Sequence, residues 1–185
     1  DGKRVIVSVG RLVHRKGQDT LVEALPSILT QYPDAHLLFV GVGPHLKYIH
    51  KRAVLLGVLD HITFIGRAQY HELPQFLCLG EIFAMPSRSR FAGLEVEGLG
   101  IVYLEASGCG LPVVGGKSGG APDALIEGET GFAVDGRDPD QVAKAVIALL
   151  SDPKKAKEMG ARGREWVVAE WEWNKWSSKF NALFN

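Results

Sequence analysis

Short apolar segments that suit buried strands alternate with longer segments of helical periodicity along this chain. The strand-like runs are rich in β-branched residues, as in Arg4–Val9, and most of them end at a glycine. The helix-like runs carry apolar residues at three- and four-residue spacing, as Leu21, Leu25 and Ile28 do within Gln18–Gln31. Apolar strands that alternate with helices form a parallel sheet covered on both faces. We therefore predict an α/β fold, a Rossmann-like doubly wound parallel sheet with a C-terminal helical tail.

The element bounds follow from these runs and from their turn residues. We predict strands at Arg4–Val9, His36–Val40, Ile62–Ile65, Ile82–Met85, Pro112–Val114 and Gly131–Val134. We predict helices at Gln18–Gln31, His45–Leu56, Glu72–Leu79, Ile101–Ser107, Ala121–Ile126 and Asp138–Leu150. Asp138 should cap the last of these helices, with Pro139 at its first position.

The chain is divided into a sheet domain, residues 1–165, and a helical tail, residues 166–185. All four tryptophans lie in the tail, and its large apolar residues recur near helical spacing: Trp166, Trp173, Trp176, Phe180, Leu183 and Phe184. The favoured interpretation is that this stripe packs on the sheet domain. Docking onto a further domain is the second interpretation. A membrane-surface helix is the third, because the polar face is not strongly basic.

Composition limits the classes of function. With 185 residues and 46% hydrophobic residues, the chain can bury one sizeable core. Lys plus Arg and Asp plus Glu both number 21, so nothing indicates a nucleic-acid groove. No apolar run reaches the roughly 18 residues of a membrane span and no signal peptide is evident, which predicts a cytoplasmic protein. The chain begins without Met and enters a strand at once, which suggests a fragment. Cys78 and Cys109 are expected to be small buried hydrophobes.

The loops that follow the strands carry the candidate ligand-binding residues. Ligands of open parallel sheets bind at the carboxyl ends of the strands. The glycine-containing loops all come directly after predicted strands, and so should line one rim: Gly10-Arg11, Gly41-Val42-Gly43, Gly66-Arg67, residues 86–97 and residues 115–120. This convergence predicts a nucleotide site.

The segment from Glu97 to Glu105 suits a sugar diphosphate. Gly98 and Gly100 allow a sharp turn into an apolar helix from Ile101, whose N-terminal amides can bind phosphate. Eight helical residues rise about 12 Å, so the two glutamates should hold hydroxyls on opposite sides of a diphosphate, one on a hexose and one on a ribose. Taken alone, the segment fits a solvated helix with a capping acid better than it fits a ligand site. The other loops on the same rim favour a sugar diphosphate site.

Two cations occupy the loop after the first strand. Arg11 can hold two phosphate oxygens at once, and Lys16, five residues later, adds a compact charge. By itself this pair also fits two surface cations with Gly17 starting a helix. Beside the turn into Ile101, we interpret it as a phosphate site.

The remaining rim residues leave alternatives open. Gly41 and Gly43 could form one wall of a base pocket or a simple turn, with Gly66 and Arg67 opposite. Arg67 could stack on a base, pair with phosphate or remain exposed. The turn 118–122 could line a base or sugar pocket, or its glycines could serve only close helix–strand packing.

Other polar groups give weaker signals. Arg88 and Arg90 could face an anionic acceptor, but solvation is the favoured interpretation. The histidines lack metal-ligand spacing and no Asp-x-Asp pair occurs, so we expect no metal and no cofactor. His14 carries a weak signal because it lies in the cationic loop.

Together these motifs resemble the C-terminal, donor-binding domain of GT-B fold glycosyltransferases of family 4. The resemblance rests on stretches that occur in the family's order from Val9 to about Trp173: Val9-Gly10-Arg11-Leu12 with Lys16-Gly17, Phe39-Val40-Gly41-x-Gly43-Pro44, Phe64-x-Gly66, Met85-Pro86-Ser87, Glu97–Glu105 and Gly119-Gly120-Ala121-Pro122. GLEVEGLGIVYLEASGCGLPVV followed by SGGAPDAL most resembles the GDP-mannose-dependent phosphatidylinositol mannosyltransferases.

The resemblance implies retaining transfer of a hexose from a nucleotide diphosphate sugar, GDP-mannose, without metal. Arg11 and Lys16 would neutralise the diphosphate. Amides around Leu99, Gly100 and Ile101 would assist, Glu97 would bind hexose hydroxyls and Glu105 the ribose diol.

The resemblance also implies an N-terminal acceptor domain that this chain lacks, a lipid acceptor at a membrane surface, and peripheral attachment to the inner face. The fragment alone would be inactive. A sugar-nucleotide epimerase, a phosphorylase and a non-catalytic nucleotide-binding module remain as alternatives. A phosphorylase would need a pyridoxal phosphate lysine and a longer chain.

Overall fold

The fold is a six-stranded parallel sheet in the order β3-β2-β1-β4-β5-β6. A computed structural model of the protein describes residues 2–184. The strands are β1 Arg4–Val9, β2 Ala35–Val40, β3 Ile62–Gly66, β4 Ile82–Met85, β5 Val113–Gly116 and β6 Gly131–Val134. The helices are α1 Gln18–Gln31, α2 Leu46–Leu55, α3 Leu73–Leu77, α4 Ile101–Gly108, α5 Pro139–Ser151, α6 Pro153–Glu170 and α7 Trp173–Asn181. The predicted fold class is confirmed.

Alternate residues of each strand enter two separate cores, one on each face of the sheet. Ile6 and Leu37 pack with α1, α2 and α5, whereas their neighbours Val7 and Leu38 pack with α3 and α4. Burying both faces is why the strands are apolar throughout, and β2 is buried at all six positions. The order reverses at β1, so the loops after β1 and β4 meet at the centre of the rim.

The predicted bounds hold within one or two residues for most elements. Asp138 caps α5 as expected, accepting from the amides of Asp140 at 2.9 Å and Gln141 at 3.1 Å. β5 begins at Val113 and not at Pro112, since proline has no N–H for the ladder. The helix expected at Ala121–Ile126 is wrong in type and length: it is a 3-10 turn, Ala121–Ala124, because Leu125 is already extended.

Helix α6 was not predicted from the sequence. Its buried stripe consists of small or flexible residues, namely Ala156, Met159, Gly160 and Gly163, which do not form a recognisable apolar pattern. The glycines allow close packing: a Cβ on Gly160 would lie 1.9 Å from the carbonyl oxygen of Gly110. The helix runs through position 165, where we place the boundary between the sheet domain and the tail. That boundary stays a prediction.

The tail differs from the favoured interpretation. Trp166 and Trp171 are partly buried against the core, but Trp173 is 83% exposed and Phe180 is 60% exposed. The expectation that the stripe packs on this domain is therefore wrong for α7. The chain turns at Trp171, where the helical φ and ψ angles end, and α7 beyond this turn contains no buried residue.

The cysteines also differ from expectation. Both are free, but Cys78 is exposed and Cys109 is half-buried. Each follows the last residue of a helix, α3 for Cys78 and α4 for Cys109, and helix ends lie at the margin of the layer that covers the sheet. The prediction that they are small buried hydrophobes is therefore wrong for Cys78.

Candidate functional site

Two adjoining cavities open on the rim at the carboxyl ends of the strands. The first, of about 500 Å³, is lined on its polar side by Gly10, Arg11, Gly41, Gly43 and Arg67. The second, of about 510 Å³, is lined among others by Gly10, Lys16, Glu97, Leu99, Gly100, Ile101 and Glu105. The structure thus brings most of the predicted site residues together. Gly66 and Gly98 are not among the lining residues of either cavity.

The loops after β1 and β2 touch through their backbones in the first cavity. A Cβ on Gly41, whose φ is +142°, would lie 2.0 Å from the carbonyl oxygen of Gly10. The amide of Gly41 donates to the carbonyl of Gly66 at 2.7 Å. These contacts require glycine at position 41, and they give the residues predicted as a base pocket a fixed backbone wall.

Lys16 and Glu97 form an ion pair in the second cavity. The Lys16 Nζ lies 2.8 Å from a carboxylate oxygen of Glu97, and the side chains are 11% and 8% exposed. Lys16 ends the 3-10 turn His14–Lys16, which Gly17 closes with a φ of +73°. The amide of Glu97 donates to Ser118 Oγ at 3.1 Å. Two residues from distant loops are therefore held as a buried pair of opposite charges.

The N-terminus of α4 opens into the same cavity. Gly100 precedes the helix with a φ of +77°, and no side chain caps it. A Cβ on Gly100 would lie 2.4 Å from the ring of Tyr103, so the turn is closed to larger residues. The first amides of a helix lack intrahelical partners and carry a partial positive charge. Lys16 and this helix end can thus act together on an anion.

Tyr103 anchors α4 beneath the cavity. Its hydroxyl donates to the carbonyl of Met85 at 2.6 Å and lies 2.9 Å from Ser87 Oγ. Burial raises the pKa of Tyr103 to about 12, so the phenol stays protonated and keeps donating. The helix that carries Glu105 is thereby fixed to the end of β4.

Arg88 and Arg90 are engaged within the protein. The Arg88 guanidinium, 8% exposed, donates to Asp19 Oδ2 at 2.6 Å, and Arg90 pairs with Glu95 at 2.9 Å. Arg90 also lies over the ring of Phe91, at 4.5 Å from its centroid. The favoured interpretation of solvated cations is wrong for Arg88. Both guanidinium groups are thus engaged in ion pairs, and both side chains also line a further cavity of about 430 Å³.

Asp19 and His14 form the polar surroundings of Arg88. Burial alone would raise the pKa of Asp19, but the hydrogen bond and charge of Arg88, with His45 at 3.3 Å, hold it below its usual value. Burial, and then the charge of Arg88, lower the pKa of His14. Sequence reasoning missed Asp19. An acid in the first turn of an otherwise apolar helix beside a cationic loop was the available signal.

A third cavity lies next to the site, between α4 and the tryptophans of the tail. It measures about 620 Å³ and shares Tyr70, Leu99, Ile101 and Glu105 with the second cavity. Trp171, Trp173 and Trp176 form its other wall. Glu105, half-buried on α4, therefore lies between the cavity that contains the Lys16–Glu97 pair and the cavity lined by the tryptophans.

Residues 2–184 contain neither a candidate metal cluster nor a helix suited to span a membrane. No group of three or more His, Cys, Asp or Glu residues there could hold a metal ion. No helix in the same range is both long and apolar enough to cross a membrane. The expected absence of a metal stays a prediction.

Comparison with known families decides the assignment. The model of the family "Glycosyl transferases group 1" matches residues 1–166. The chain belongs to this family. A GDP-mannose-dependent alpha-(1-6)-phosphatidylinositol monomannoside mannosyltransferase from Mycobacterium tuberculosis is 53% identical over 174 residues, which cover 94% of this chain and 45% of that protein. The resemblance inferred from the motifs is confirmed.

Solved structures agree with this assignment. Sucrose-phosphate synthase from Thermosynechococcus elongatus is 30% identical with a TM-score of 0.87, over 98% of this chain and 45% of that one. The C-terminal domain of a glycosyl transferase group 1 family protein from Francisella tularensis is 26% identical with a TM-score of 0.81, over 93% of this chain and 88% of that one. The chain spans about half the length of the curated relatives it matches.

Proposed function

We propose that this chain is the donor-binding half of a retaining mannosyltransferase that uses GDP-mannose. The observation that carries the proposal is the buried Lys16–Glu97 pair beside the uncapped N-terminus of α4. An ammonium and helix amides suit a diphosphate, and a carboxylate suits sugar hydroxyls. The adjoining cavity lined by Gly41, Gly43 and Arg67 has room for a base.

Each residue has a role in this proposal. Lys16 and the amides of Leu99, Gly100 and Ile101 hold the diphosphate. Arg11, which is exposed on the rim of the first cavity, closes over it from the base side. Glu97 binds hexose hydroxyls and Glu105 binds the ribose diol, one at each end of the turn into α4.

The chemistry follows from this placement. The bond between the anomeric carbon and the phosphate oxygen breaks, the acceptor hydroxyl attacks that carbon on the face from which the diphosphate leaves, and the hydroxyl proton passes to the departing phosphate oxygen. Charge accumulates on the departing phosphate oxygens in the transition state. Fixed cations and amides directed at those oxygens lower the barrier without a protein nucleophile.

The acceptor is a phosphatidylinositol mannoside or a similar glycolipid. The relatives at 46–53% identity are named for such acceptors. A second, N-terminal domain supplies the acceptor contacts, because those relatives are about twice as long as this chain. The whole protein then works in the cytoplasm at the inner face of the membrane, and this half alone does not turn over.

Calorimetry with this chain and with the full-length protein tests the proposal. GDP-mannose and GDP should bind, and the full-length protein should transfer mannose to a phosphatidylinositol mannoside. Failure of both ligands to bind either protein would overturn the proposal in favour of an interaction module. Binding without transfer would support a non-catalytic nucleotide-binding module, and isomerisation of the sugar would support an epimerase.

A further inference from the structure

Three consecutive side chains in the loop after β4 hydrogen-bond to three different segments of the chain: α4, α1 and the loop after β5. Ser87 Oγ lies 2.9 Å from the hydroxyl of Tyr103 on α4. Arg88 bonds the first turn of α1 through Asp19. Ser89 Oγ lies 3.1 Å from Ser118 Oγ in the loop after β5. We call residues 87–89 the brace.

The guanidinium of Arg88 has a partner for each of its nitrogens. Nε donates to His14 Nδ1 at 3.2 Å, and Nη2 lies 3.1 Å from the same atom and 2.6 Å from Asp19 Oδ2. Nη1 donates to Thr20 Oγ1 and, at 3.4 Å, to the carbonyl of Gly136. A planar fork of donors fits this set of acceptors, whereas a lysine ammonium could reach only part of it.

These bonds fix the turn that carries Lys16. The amide of Arg88 donates to the carbonyl of Arg15 at 2.8 Å, while its side chain holds His14. A Cβ on Gly17 would lie 1.9 Å from the carbonyl oxygen of Pro86, so the two loops are in backbone contact there. The turn His14–Lys16 is outside the sheet ladder and owes its position to these contacts.

The same loop reaches the partner of Lys16. Ser118 Oγ, which contacts Ser89, also accepts from the amide of Glu97 at 3.1 Å. The brace is therefore bonded directly to the backbone next to Lys16 and, through the hydroxyl of Ser118, to the amide of Glu97. It sets the separation of the cation that would hold phosphate and the carboxylate that would hold the hexose.

We propose that Arg88 is a positioning residue that aligns Lys16 with Glu97 for the donor. The inference rests on the proposed function. Arg88 acts through Lys16, because its guanidinium is buried and fully engaged with His14, Asp19 and Thr20 and lines neither donor cavity. It supplies alignment, and a misplacement of about 1 Å can cost about a hundredfold in rate.

The test compares Arg88→Lys with Arg4→Lys in the full-length protein. Arg4 is a matched control: its guanidinium donates to Glu81 and to the carbonyl of Leu150, at the opposite end of β1. R88K should lower kcat about tenfold or more and weaken GDP binding. R4K should leave kcat and GDP binding unchanged. R4K and R88K should lower Tm by similar amounts.

A double mutant separates alignment from general structure. With Lys16→Ala already present, R88K should add less than about a threefold further loss, because its effect passes through Lys16. Full additivity of the two losses, or wild-type kcat in R88K, would overturn the inference. If R88K does not fold, Ser89→Ala replaces it, with the same loss of kcat expected and wild-type kcat as the contrary result. A wild-type protein without transfer, or a fully active K16A, would instead defeat the proposed function.

Discussion

The Lys16 ammonium lies 2.8 Å from the Glu97 carboxylate although 81 positions separate the two residues in the sequence. Burial strengthens their attraction but also makes each charge costly to leave alone. An entering diphosphate would compete with Glu97 for Lys16 and leave the carboxylate to sugar hydroxyls. The pair thus neutralises two groups that the donor would use separately.

Removing Lys16 should damage both activity and stability. Lys16→Ala should lower kcat by about two orders of magnitude, since a cation at a departing phosphate contributes about 3 kcal/mol. It should also lower the free energy of unfolding by about 3 kcal/mol, because Glu97 is left buried and unpaired. Steady-state kinetics and urea unfolding measure the two effects. Lys16→Met combined with Glu97→Gln should recover stability but not activity; recovery of neither would show that the pair is not the cause.

Arg11 should affect activity alone. Its side chain is exposed on the rim, so Arg11→Ala should lower kcat by several orders of magnitude while circular dichroism and Tm stay as in wild type. Arg67→Ala serves as the comparison, because Arg67 is also an exposed cation and lies across the first cavity from Arg11. Near wild-type turnover in both K16A and R11A would end the phosphate assignment.

The two glutamates should fail in different assays. Glu97→Gln should depress transfer sharply while GDP, which has no hexose, binds nearly as before. Glu105→Gln should weaken GDP itself by roughly 1–3 kcal/mol. Calorimetry with GDP and GDP-mannose on both variants, with melting curves alongside, measures this. Equal loss of GDP affinity in both would place the hexose elsewhere.

The nucleotide preference tests the closer family assignment. Titration with GDP, UDP and ADP should show GDP binding most tightly, on the basis of the resemblance around Glu97–Glu105 and residues 118–122. A clear preference for UDP would remove the mannosyltransferase assignment and leave the family unchanged.

Gly100 should be intolerant of even a methyl group. Gly100→Ala places a Cβ 2.4 Å from the Tyr103 ring at a φ of +77°, so it should lower both Tm and GDP affinity. Gly108→Ala, in the same helix with no atom within 4 Å of its Cβ, is the matched control and should be neutral or stabilising. Equal Tm values for the two variants would contradict the strained turn.

Stability should fall on mild acidification because of His14. Its folded pKa lies below the ordinary value, chiefly through burial, so the unfolded state takes up a proton first. This contribution is complete above about pH 6.5 and is lost as pH falls towards the folded pKa. Urea unfolding at pH 7 and pH 5 measures it, and His14→Gln should flatten the dependence. His36 has a similarly lowered pKa through burial and then Lys3, so His36→Gln should flatten a second part.

Sequence patterns were sufficient for the sheet and the rim but not for the packing between loops. β-branched runs and strand-end glycines predict that Gly10, Gly41 and Glu97 share one edge, because parallel strands align their carboxyl ends. They do not predict that Lys16 pairs with Glu97, or that Arg88 is buried on Asp19. Those contacts depend on how the loops after β1, β4 and β5 pack on each other, and such packing produces no short-range periodicity in the sequence.

The tail illustrates a second limit. An apolar stripe predicts that something will cover it but not what. Trp166 and Trp171 pack on the domain, yet the turn at Trp171 leaves Trp173 and Phe180 exposed. Helix α6 was missed because the opposite holds there: its face is buried, but its glycines bury backbone and not side chains, so the sequence shows no apolar stripe.

In the sheet order, β1 lies between β2 and β3 on one side and β4, β5 and β6 on the other. The first cavity is lined by segments that follow β1, β2 and β3, and the second by α4 and by segments that follow β1, β3 and β4; Val9, Gly10 and Leu73 line both. Under the proposed function, the base and the hexose would then contact largely different stretches of sequence. If the base lies in the first cavity and the hexose in the second, as proposed, substitutions in residues 41–44 and 67 would alter nucleotide binding while the hexose contacts stay in place.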